Sequence, residues 1–323
     1  MTKKPPLIIL TGPTAVGKTE LSIKLAKAIG GEIISADSMQ AYRHMDIGSA
    51  KVTPEEMDGI PHYLIDVLEP TEDFNVVVFQ QMAKEALNQI YSHGNIPIVA
   101  GGTGFYIQAL LYDIDFRENP EDNSIRMELE AAAKEKGTEY LHQLLAEVDP
   151  ESANAIHSNN KKRVIRALEY FRQTGEPISL HNKLQHQKES PYQFLYYVVN
   201  TERSLLYERI EKRVDKMITQ GLVKEVEKLK EMGCRREMVS MQGLGYKELL
   251  DYLNGESTLE EAVSVLKRDT RHFAKRQLTW FRRERDVCWL NLPEFDYDLE
   301  RVLQYVTAQI SDTFPERSIF GKR

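Results

Sequence analysis

The sequence predicts an α/β protein with a P-loop-type parallel sheet wound by helices, a helical insertion domain and a helical C-terminal part. Short apolar runs alternate with helical patterns up to residue 118, which is typical of a parallel sheet with helices on both faces. The strand pattern then disappears over residues 119–192, where only helical patterns occur, and it returns at Phe194. The chain is therefore expected to re-enter its first domain after an insertion.

Six short apolar or β-branched runs predict the strands of the sheet. They cover residues 7–10, 32–36, 63–67, 96–100, 194–199 and 287–290. Between the first two, Leu21 and Leu25 at helical spacing predict a helix that ends at Gly30 and Gly31. Ligands of such sheets bind beyond the carboxyl ends of the strands, so the residues that follow each strand are the first candidates for a site.

The domain prediction has four parts. Residues 1–118 are the first part of the P-loop core, 119–192 the insertion, 193–311 the completion of the core with the C-terminal helices, and 312–323 a loosely ordered tail. Helices of the insertion are predicted at residues 124–136, 139–146 and 161–173. The later helices are predicted at residues 204–232 and 260–285.

Composition narrows the class of protein. With 41% hydrophobic and 28% charged residues, the 323-residue chain has an ordinary globular balance. Its early apolar run is too short for a signal peptide or a membrane span, so we expect a cytoplasmic protein with no membrane partner. Cys234 and Cys288 indicate neither a disulfide framework nor a zinc site. The net charge of -7 argues mildly against nucleic acid as a partner. Whether nucleic acid binds must therefore be judged from the distribution of the cations along the chain.

A phosphate-binding loop follows the first predicted strand. The pattern G-x-x-x-x-G-K-[ST] is satisfied by Gly12, Pro13, Thr14, Ala15, Val16, Gly17, Lys18 and Thr19. Glycines let backbone amides face phosphate oxygens, Lys18 neutralises their charge, and the Thr19 hydroxyl can hold Mg²⁺. A diphosphate or a triphosphate is therefore expected to bind here, and the loop alone does not tell which.

Polar residues follow three other predicted strands. Asp37 can order Mg²⁺ through water, accept a proton from an attacking group, or cap the next turn. Asp66 closes another apolar run and resembles a metal-binding carboxylate, although a structural role is the favoured interpretation. The turn Gly101–Gly104 precedes a helix predicted at 105–111, and Thr103 in it is either a substrate contact or part of a tight turn.

Cations cluster on separate predicted helices. One cluster lies in the insertion from Lys161 to Arg172, and another lies at residues 267–285, where eight Lys or Arg stand against two carboxylates. Such a basic stripe suits a phosphate backbone, although solvated basic helix faces are common. Arg209 and Arg213 lie four residues apart and are expected to grip a diphosphate, unless they pair with neighbouring glutamates.

Taken together, six segments resemble one family. They are Gly12–Thr19, Ser35–Gln40, Gly59–His62, Gly101–Tyr106, Arg163–Leu168 and Met241–Tyr246. In this order they closely resemble the bacterial type of the tRNA isopentenyltransferase family, also called tRNA dimethylallyltransferases. The resemblance runs from about residue 7 to residue 285 and is more specific than the phosphate loop alone.

The resemblance implies transfer of a dimethylallyl group from dimethylallyl diphosphate to N6 of the adenine 3′-adjacent to the anticodon. It implies Mg²⁺ as cofactor, the tRNA anticodon stem-loop as partner and an insertion that clamps the anticodon loop, with the adenine flipped out. Asp37 is the expected general base, while Lys18 and Thr19 hold the diphosphate and the metal. The expected tRNA contacts are Asp37, Ser38, Met39, Gln40, Thr103, Arg126, Lys162, Arg163, Arg166, Gln242, Gly243, Gly245, Tyr246 and Lys247.

The residues alone do not exclude three other activities. A small-molecule or nucleoside kinase shares the fold, the loop and Mg²⁺, but it consumes ATP. A second enzyme class transfers the same prenyl group to free AMP, ADP or ATP. A nucleotide-switched RNA-binding module has no covalent chemistry. The resemblance favours tRNA modification by a monomer.

Overall fold

The computed structural model describes residues 4–116 and 124–315. The strands in these ranges are β1 Pro6–Thr11, β2 Gly31–Ala36, β3 His62–Tyr63, β4 Ile96–Gly101, β5 Gln193–Asn200 and β6 Val287–Asn291. They form one sheet in the order β3-β2-β4-β1-β5-β6, and every pairing is parallel. This confirms the predicted fold class.

The centre of the sheet is β1, which pairs with β4 on one side and with β5 on the other. All six of its residues are buried. A strand covered on both faces needs a continuous apolar run rather than an alternating one, and Leu7 to Leu10 supply it. The main core cluster continues from this strand into the helices on the faces of the sheet.

One strand prediction is wrong in most of its length. Residues 63–67 were expected to form a strand, but β3 ends at Tyr63. Leu64 and Asp66 have positive φ values of 63° and 54°, in the left-handed region where a strand cannot continue. Beyond this strand, an isolated parallel bridge joins Tyr42 to Leu68.

The helices that accompany the sheet are α1 Lys18–Ile29, α2 Pro54–Met57, α3 Val76–Ser92, α4 Gly104–Leu111, α10 Arg203–Gln220, α11 Leu222–Glu231, α12 Tyr246–Leu253, α13 Leu259–Phe281 and α14 Leu299–Thr313. The single helix predicted over 204–232 is wrong, because Gly221 with φ 103° ends α10 and begins α11. The helix predicted over 260–285 ends at Phe281, and Thr258 and Glu261 form a capping box at its start.

A second compact unit comprises Tyr112–Ser190, while Met1–Leu111 and Pro191–Arg323 make up the first. The second unit contains α5 Ser124–Lys136, α6 Thr138–Val148, α7 Pro150–Ala155, α8 Lys161–Thr174 and α9 Ile178–Gln187. Its own apolar core includes Leu129, Leu141 and Leu168. The predicted boundary at residues 118 and 119 lies outside the described residues.

Two further findings concern the start of the predicted C-terminal tail and the length of the helices. The tail was predicted to begin at residue 312, but α14 continues to Thr313. The part of that prediction after residue 315 lies outside the described residues. Among the described helices, none is long and apolar enough to cross a membrane.

Candidate active site

The phosphate loop lies at the carboxyl end of the central strand β1 and runs directly into α1. Gly12 has a φ of 148°, and a Cβ at this position would lie 2.4 Å from the Val199 carbonyl oxygen on β5. Gly17, with φ 105°, precedes the first residue of α1. Only glycine fits both positions, because one needs close backbone approach and the other a left-handed conformation. The local sequence therefore builds a loop with its amides at a helix N-terminus, where anions bind.

Lys18 folds back onto the loop that precedes it. Its Nζ donates hydrogen bonds to the carbonyl oxygens of Gly12 at 2.9 Å and Pro13 at 2.8 Å. Burial lowers the pKa of this ammonium to about 7, the charge of Arg213 lowers it too, and Asp37 partly opposes both effects. The loop thus holds a cation that an anionic ligand would stabilise.

Two arginines from α10 reach the phosphate loop. An Nη1 of Arg209 lies 3.4 Å from the Val16 carbonyl oxygen, and an Nη1 of Arg213 lies 3.4 Å from the Thr14 hydroxyl. The two neighbouring glutamates, the alternative partners of these arginines, form ion pairs with other residues. Glu208 pairs with Lys212, and Glu211 pairs with Arg271. This arrangement favours the interpretation of both arginines as phosphate ligands, a role that stays a prediction.

Burial also acts on Arg213. It lowers the pKa of the guanidinium, while the charges of Asp37 and Glu56 raise it. Asp37 therefore lies within electrostatic range of both half-buried cations of the site, Lys18 and Arg213. A buried cation is costly unless it is paired. The strand ends thus carry more positive than negative charge.

Asp37 follows β2 and caps its own turn. Its Oδ1 accepts a hydrogen bond from the Met39 amide at 2.9 Å, which fixes the carboxylate in an Asx turn. Gln40 is fixed by its side chain, because Oε1 accepts from the Ser35 hydroxyl at 3.0 Å and Nε2 donates to the Ala50 carbonyl at 3.3 Å. Residues 37–40 are all half-buried, so they line the crevice rather than the core.

Asp66, the rival of Asp37, has a different environment. Its Oδ1 lies 2.5 Å from Nζ of the buried Lys51, which also pairs with Asp46 at 2.6 Å and donates to the Tyr42 carbonyl. Asp66 thus neutralises a buried lysine that braces the loop after Asp37. The geometry favours the structural interpretation of Asp66.

The glycine-rich turn after β4 contacts the turn after β2. A Cβ at Gly101 would lie 2.3 Å from the Ala36 carbonyl oxygen, which also accepts a hydrogen bond from the Thr103 amide at 3.2 Å. The Thr11 hydroxyl donates to the Gly101 carbonyl at 2.7 Å. These contacts bring the ends of β1, β2 and β4 together, with Thr103 half-buried among them.

Sequence reasoning missed Gln277 and Trp280 on α13. Gln277 is 6% exposed, and its amide bonds to both the phosphate loop and the glycine-rich turn. A Cβ at Gly104 would lie 2.3 Å from the Trp280 ring. A usable signal was present, because Gln277 lies at helical spacing between the buried residues Ala274 and Phe281. A polar residue on the apolar face of an otherwise basic helix becomes buried, so it needs a hydrogen-bond partner inside the protein.

The segment 242–247 adjoins the turn that begins at Asp37. A Cβ at Gly243 would lie 2.6 Å from the Met39 sulfur, so the two segments predicted to contact tRNA touch each other. Gln242 is exposed, whereas the ring of Tyr246 is fully buried. Its hydroxyl donates to Glu225 at 2.9 Å. The ring therefore supports the segment from behind, and the predicted RNA contact at this position stays a prediction.

Glu225 is a further residue that the sequence did not single out. Its carboxylate accepts hydrogen bonds from the Asp46 amide at 2.9 Å, the Ile47 amide at 2.7 Å and the Gly48 amide at 3.0 Å. A Cβ at Gly48 would overlap the ring of Tyr246. Glu225 thus joins the loop that follows Asp37 to the helix that begins at Tyr246.

Within the second unit, a buried carboxylate holds two of the predicted tRNA contacts. Glu169 is 4% exposed and accepts from Arg126 at 3.2 Å and from Arg166 at 3.4 Å. Lys162 and Arg163 are exposed on the same helix as Arg166. The guanidinium groups of Arg126 and Arg166 are therefore presented in fixed positions, which suits phosphate recognition.

The basic stripe on α13 is less cationic than its sequence suggests. Arg271 pairs with Glu211 at 2.6 Å, and Arg268 pairs with Asp269 at 2.8 Å. Lys275 and Arg282 are exposed. Only part of the predicted stripe thus remains for a nucleic acid.

The donor set at the loop fits a magnesium ion that arrives with a phosphate ligand. In the described ranges, no three His, Cys, Asp or Glu residues are grouped to hold a metal. Thr19 is exposed at the start of α1 and offers one hydroxyl oxygen. Mg²⁺ commonly takes one or two protein oxygens and completes its shell with substrate phosphates and water.

Fold and site together define a P-loop-type α/β enzyme with a candidate anion-binding loop after β1 and a carboxylate after β2, on the far side of β4. Residues 40–284 match the model of the IPP transferase family. A tRNA dimethylallyltransferase from Lachnoclostridium phytofermentans is 63% identical over 301 residues, which cover 93% of this chain and 96% of that relative. The chain belongs to the IPP transferase family. It is an enzyme that transfers a dimethylallyl group to tRNA, and the kinase alternative is not favoured.

Solved structures show the same relationship. A full-length tRNA isopentenylpyrophosphate transferase from Bacillus halodurans is 43% identical and has a TM-score of 0.73, with coverage of 99% of this chain and 100% of that one. A eukaryotic dimethylallyltransferase acting on tRNA is 27% identical and has a TM-score of 0.80, with coverage of 95% and 80%. Both confirm the fold class that the sequence predicts.

Proposed function

We propose that this chain transfers the dimethylallyl group of dimethylallyl diphosphate to N6 of the adenine 3′-adjacent to the anticodon, with release of diphosphate. One observation carries the proposal. Lys18 contacts the Gly12 and Pro13 carbonyls of the phosphate loop, Arg213 contacts the Thr14 hydroxyl, and both cations lie within electrostatic range of Asp37 after β2. Such a site neutralises a leaving diphosphate on one side and accepts a proton on the other.

The leaving group is assigned to the phosphate loop. Charge builds on the diphosphate as the bond from its oxygen to the allylic carbon breaks, and fixed cations stabilise that charge. Lys18, Arg209 and Arg213 supply the cations, and the loop amides add hydrogen-bond donors. The Thr19 hydroxyl would hold Mg²⁺, which would supply further charge neutralisation when bound.

The acceptor side is assigned to Asp37. The exocyclic nitrogen of adenine is a weak nucleophile, so it must be held close to the allylic carbon and lose its proton as the new bond forms. The Asx turn with the Met39 amide fixes the carboxylate for this purpose. A stacked base does not reach such a crevice, so the adenine is flipped out at a cost of a few kcal/mol.

The tRNA contacts are assigned to both units. Asp37, Ser38, Met39 and Gln40 meet the target base, with Thr103 beside them. Gln242, Gly243, Gly245, Tyr246 and Lys247 form a second contact segment in the first unit, and Arg126, Lys162, Arg163 and Arg166 bind phosphates from the second. The proposed functional unit is a single chain that acts in the cytoplasm on the anticodon stem-loop.

The direct test is incubation of the protein with unmodified tRNA, Mg²⁺ and dimethylallyl diphosphate, followed by mass analysis of the nucleosides. We expect one adenosine per substrate tRNA to gain a dimethylallyl group, and diphosphate to appear in equal amount. Omission of tRNA with added AMP or ATP should give no prenylated nucleotide. An unchanged adenosine pool would contradict the proposal.

The role of Asp37 is tested with a matched pair of variants. Asp37→Ala removes both the base and the turn acceptor, whereas Asp37→Asn keeps an oxygen for the Met39 amide. We expect both variants to lower turnover at least ~100-fold while the affinity for tRNA stays within about threefold, a typical general-base effect. Near-normal turnover of Asp37→Asn would reject Asp37 as the base.

A further inference from the structure

Gln277 makes two hydrogen bonds that join parts of the site far apart in sequence. Its Oε1 accepts from the Thr14 amide of the phosphate loop at 2.9 Å, and its Nε2 donates to the Gly102 carbonyl at 3.0 Å. The side chain is 6% exposed, so both bonds are formed away from solvent. Each end of the amide is matched to its partner, because an oxygen meets a donor and a nitrogen meets an acceptor.

The hydrogen bond between Gln277 and the Thr14 amide changes which backbone amides of the phosphate loop are left to face a phosphate. In phosphate loops the backbone amides usually turn toward the phosphates, but the Thr14 amide is bonded to a protein side chain. The same residue's hydroxyl lies 3.4 Å from Arg213. The backbone of Thr14 is thus fixed on one side by Gln277 while its side chain contacts a predicted diphosphate ligand on the other.

The glycine-rich turn is shaped to receive the same amide. A Cβ at Gly102 would lie 2.2 Å from the Gln277 Nε2, so glycine is required for the approach. Trp280, one helical turn further along α13, packs against Gly104 in the same turn. Residues three apart lie on one face of a helix, so α13 holds the turn at two points.

The turn in question also touches the strand that delivers Asp37. Gly101 approaches the Ala36 carbonyl closely, and that carbonyl accepts from the Thr103 amide at 3.2 Å. A chain of direct contacts therefore runs from Thr14 through Gln277 and the glycine-rich turn to Ala36, the residue before Asp37. Gln277 is the side chain in that chain that bonds to both turns.

We propose that Gln277 is a positioning residue that fixes the separation between the diphosphate loop and the strand end carrying Asp37. The inference rests on the proposed function, because this separation sets the distance between the allylic carbon and the adenine nitrogen. Gln277 is not expected to touch either substrate. Its loss should leave diphosphate bound and misplace the reacting atoms, and a shift of about 1 Å can cost about 100-fold in rate.

The test uses the full-length protein with Gln277→Met, which keeps the length of the side chain and removes both hydrogen bonds. A second variant, Gln277→Glu, keeps an acceptor for the Thr14 amide and removes the donor to Gly102. The matched control is Gln80→Met, since Gln80 is also buried and donates to a backbone carbonyl, that of Ala109, at 2.8 Å. Each variant is measured for kcat, for KM with dimethylallyl diphosphate, for affinity toward inorganic diphosphate and for thermal stability.

We expect kcat to fall by about 10- to 100-fold in both Gln277 variants, while KM and the affinity for inorganic diphosphate change by less than about threefold in Gln277→Met, the variant that adds no charge. Gln80→Met should lose similar thermal stability and keep kcat within about threefold. A KM change without a kcat change, or a kcat loss no larger than in the control, would overturn the inference while the wild-type enzyme stays active. Absence of transfer by the wild-type enzyme would instead overturn the proposed function and this inference with it.

Discussion

Three cations and one carboxylate lie at the ends of the strands around the phosphate loop. Lys18 is bonded to two carbonyl oxygens of its own loop, and the half-buried Arg213 is close enough for its charge to act on Lys18. Burial lowers the pKa of both groups, which means that the charged forms are destabilised in the free protein. An anion with several negative charges would remove this cost on binding, so we expect these residues to favour a diphosphate over a neutral ligand.

The pKa of Lys18 leads to a prediction about pH. Because this pKa is about 7 in the free protein and contact with phosphate restores the ammonium, binding above pH 7 should take up a proton. The affinity for inorganic diphosphate should therefore fall as the pH rises from 7 to 9, by up to about tenfold per pH unit. Calorimetry in buffers of different ionisation enthalpy measures the proton uptake directly.

The control for this prediction is Lys18→Arg, whose guanidinium stays protonated over the whole range. Its pH slope should keep only the contribution of the diphosphate itself. The same linkage stabilises the unliganded protein as the pH rises from about 7 toward the ordinary lysine value of 10.5, since the unfolded chain binds more protons there. Equal slopes for the wild type and the variant would contradict the role given to Lys18.

At the scale of elements, periodicity predicted the regular parts and missed the interruptions. The helix expected at 124–136 is confirmed as Ser124–Lys136, because its apolar spacing is uninterrupted. The strand expected at 63–67 stops at Tyr63, because Leu64 and Asp66 adopt left-handed conformations. An apolar run in the sequence does not reveal such conformations. Likewise Gly221 lies inside a helical pattern, and its φ of 103° turns one predicted helix into two.

The positions of the candidate site residues were predictable where they depend on local sequence. The loop Gly12–Thr19 and Asp37 follow strands, and the strand ends were readable from the sequence. The contacts of Gln277 were not readable, because a bond from residue 277 to residue 14 depends on which helix packs against which turn. Long-range contacts of this kind are set by the packing of elements and have no local pattern.

The close approach of two strand ends gives a prediction at this scale. Gly101→Ala places a methyl carbon 2.3 Å from the Ala36 carbonyl oxygen, where backbone on both sides prevents relaxation. We expect the free energy of unfolding to fall by about 3 kcal/mol, at the upper end of ordinary overpacking. Urea denaturation measures this loss.

The comparison variant is Gly221→Ala, which has a φ of 103° and no atom within 4 Å of the added carbon. It should cost only about 1–2 kcal/mol, the strain of a left-handed residue with a side chain. A loss for Gly101→Ala no greater than that of Gly221→Ala would show that the strand ends are less tightly packed than the structure indicates.

At the scale of the whole molecule, the predicted site residues are distributed over two units with separate cores. The first unit carries the sheet, the phosphate loop and Asp37, and the second carries the cations held by Glu169. The second unit is inserted between β4 and β5, so its chain leaves and returns to the sheet. An apolar core of its own indicates that this unit does not depend on the sheet for burial.

We therefore expect residues 112–190 to fold when expressed alone. The fragment should show a helical circular dichroism spectrum and a cooperative thermal transition, as other domains of such length do. Leu145 is completely buried in its core, so Leu145→Ala should lower the stability of the fragment by about 2–5 kcal/mol. A broad transition that the Leu145 variant does not alter would indicate that the core does not form in isolation.

The position of this unit in the chain has a consequence for synthesis on the ribosome. Strand β1 needs β4 on one side and β5 on the other, but β5 begins only at Gln193. At about 5–20 residues per second, translation from Gly101 to Gln193 takes about 5 to 20 s. During that time the nascent sheet exposes an unpaired apolar strand edge, the kind of surface that chaperones cover and that aggregates when it is left open. The strand that covers the second edge of β1 is thus made late, after an entire helical unit has emerged.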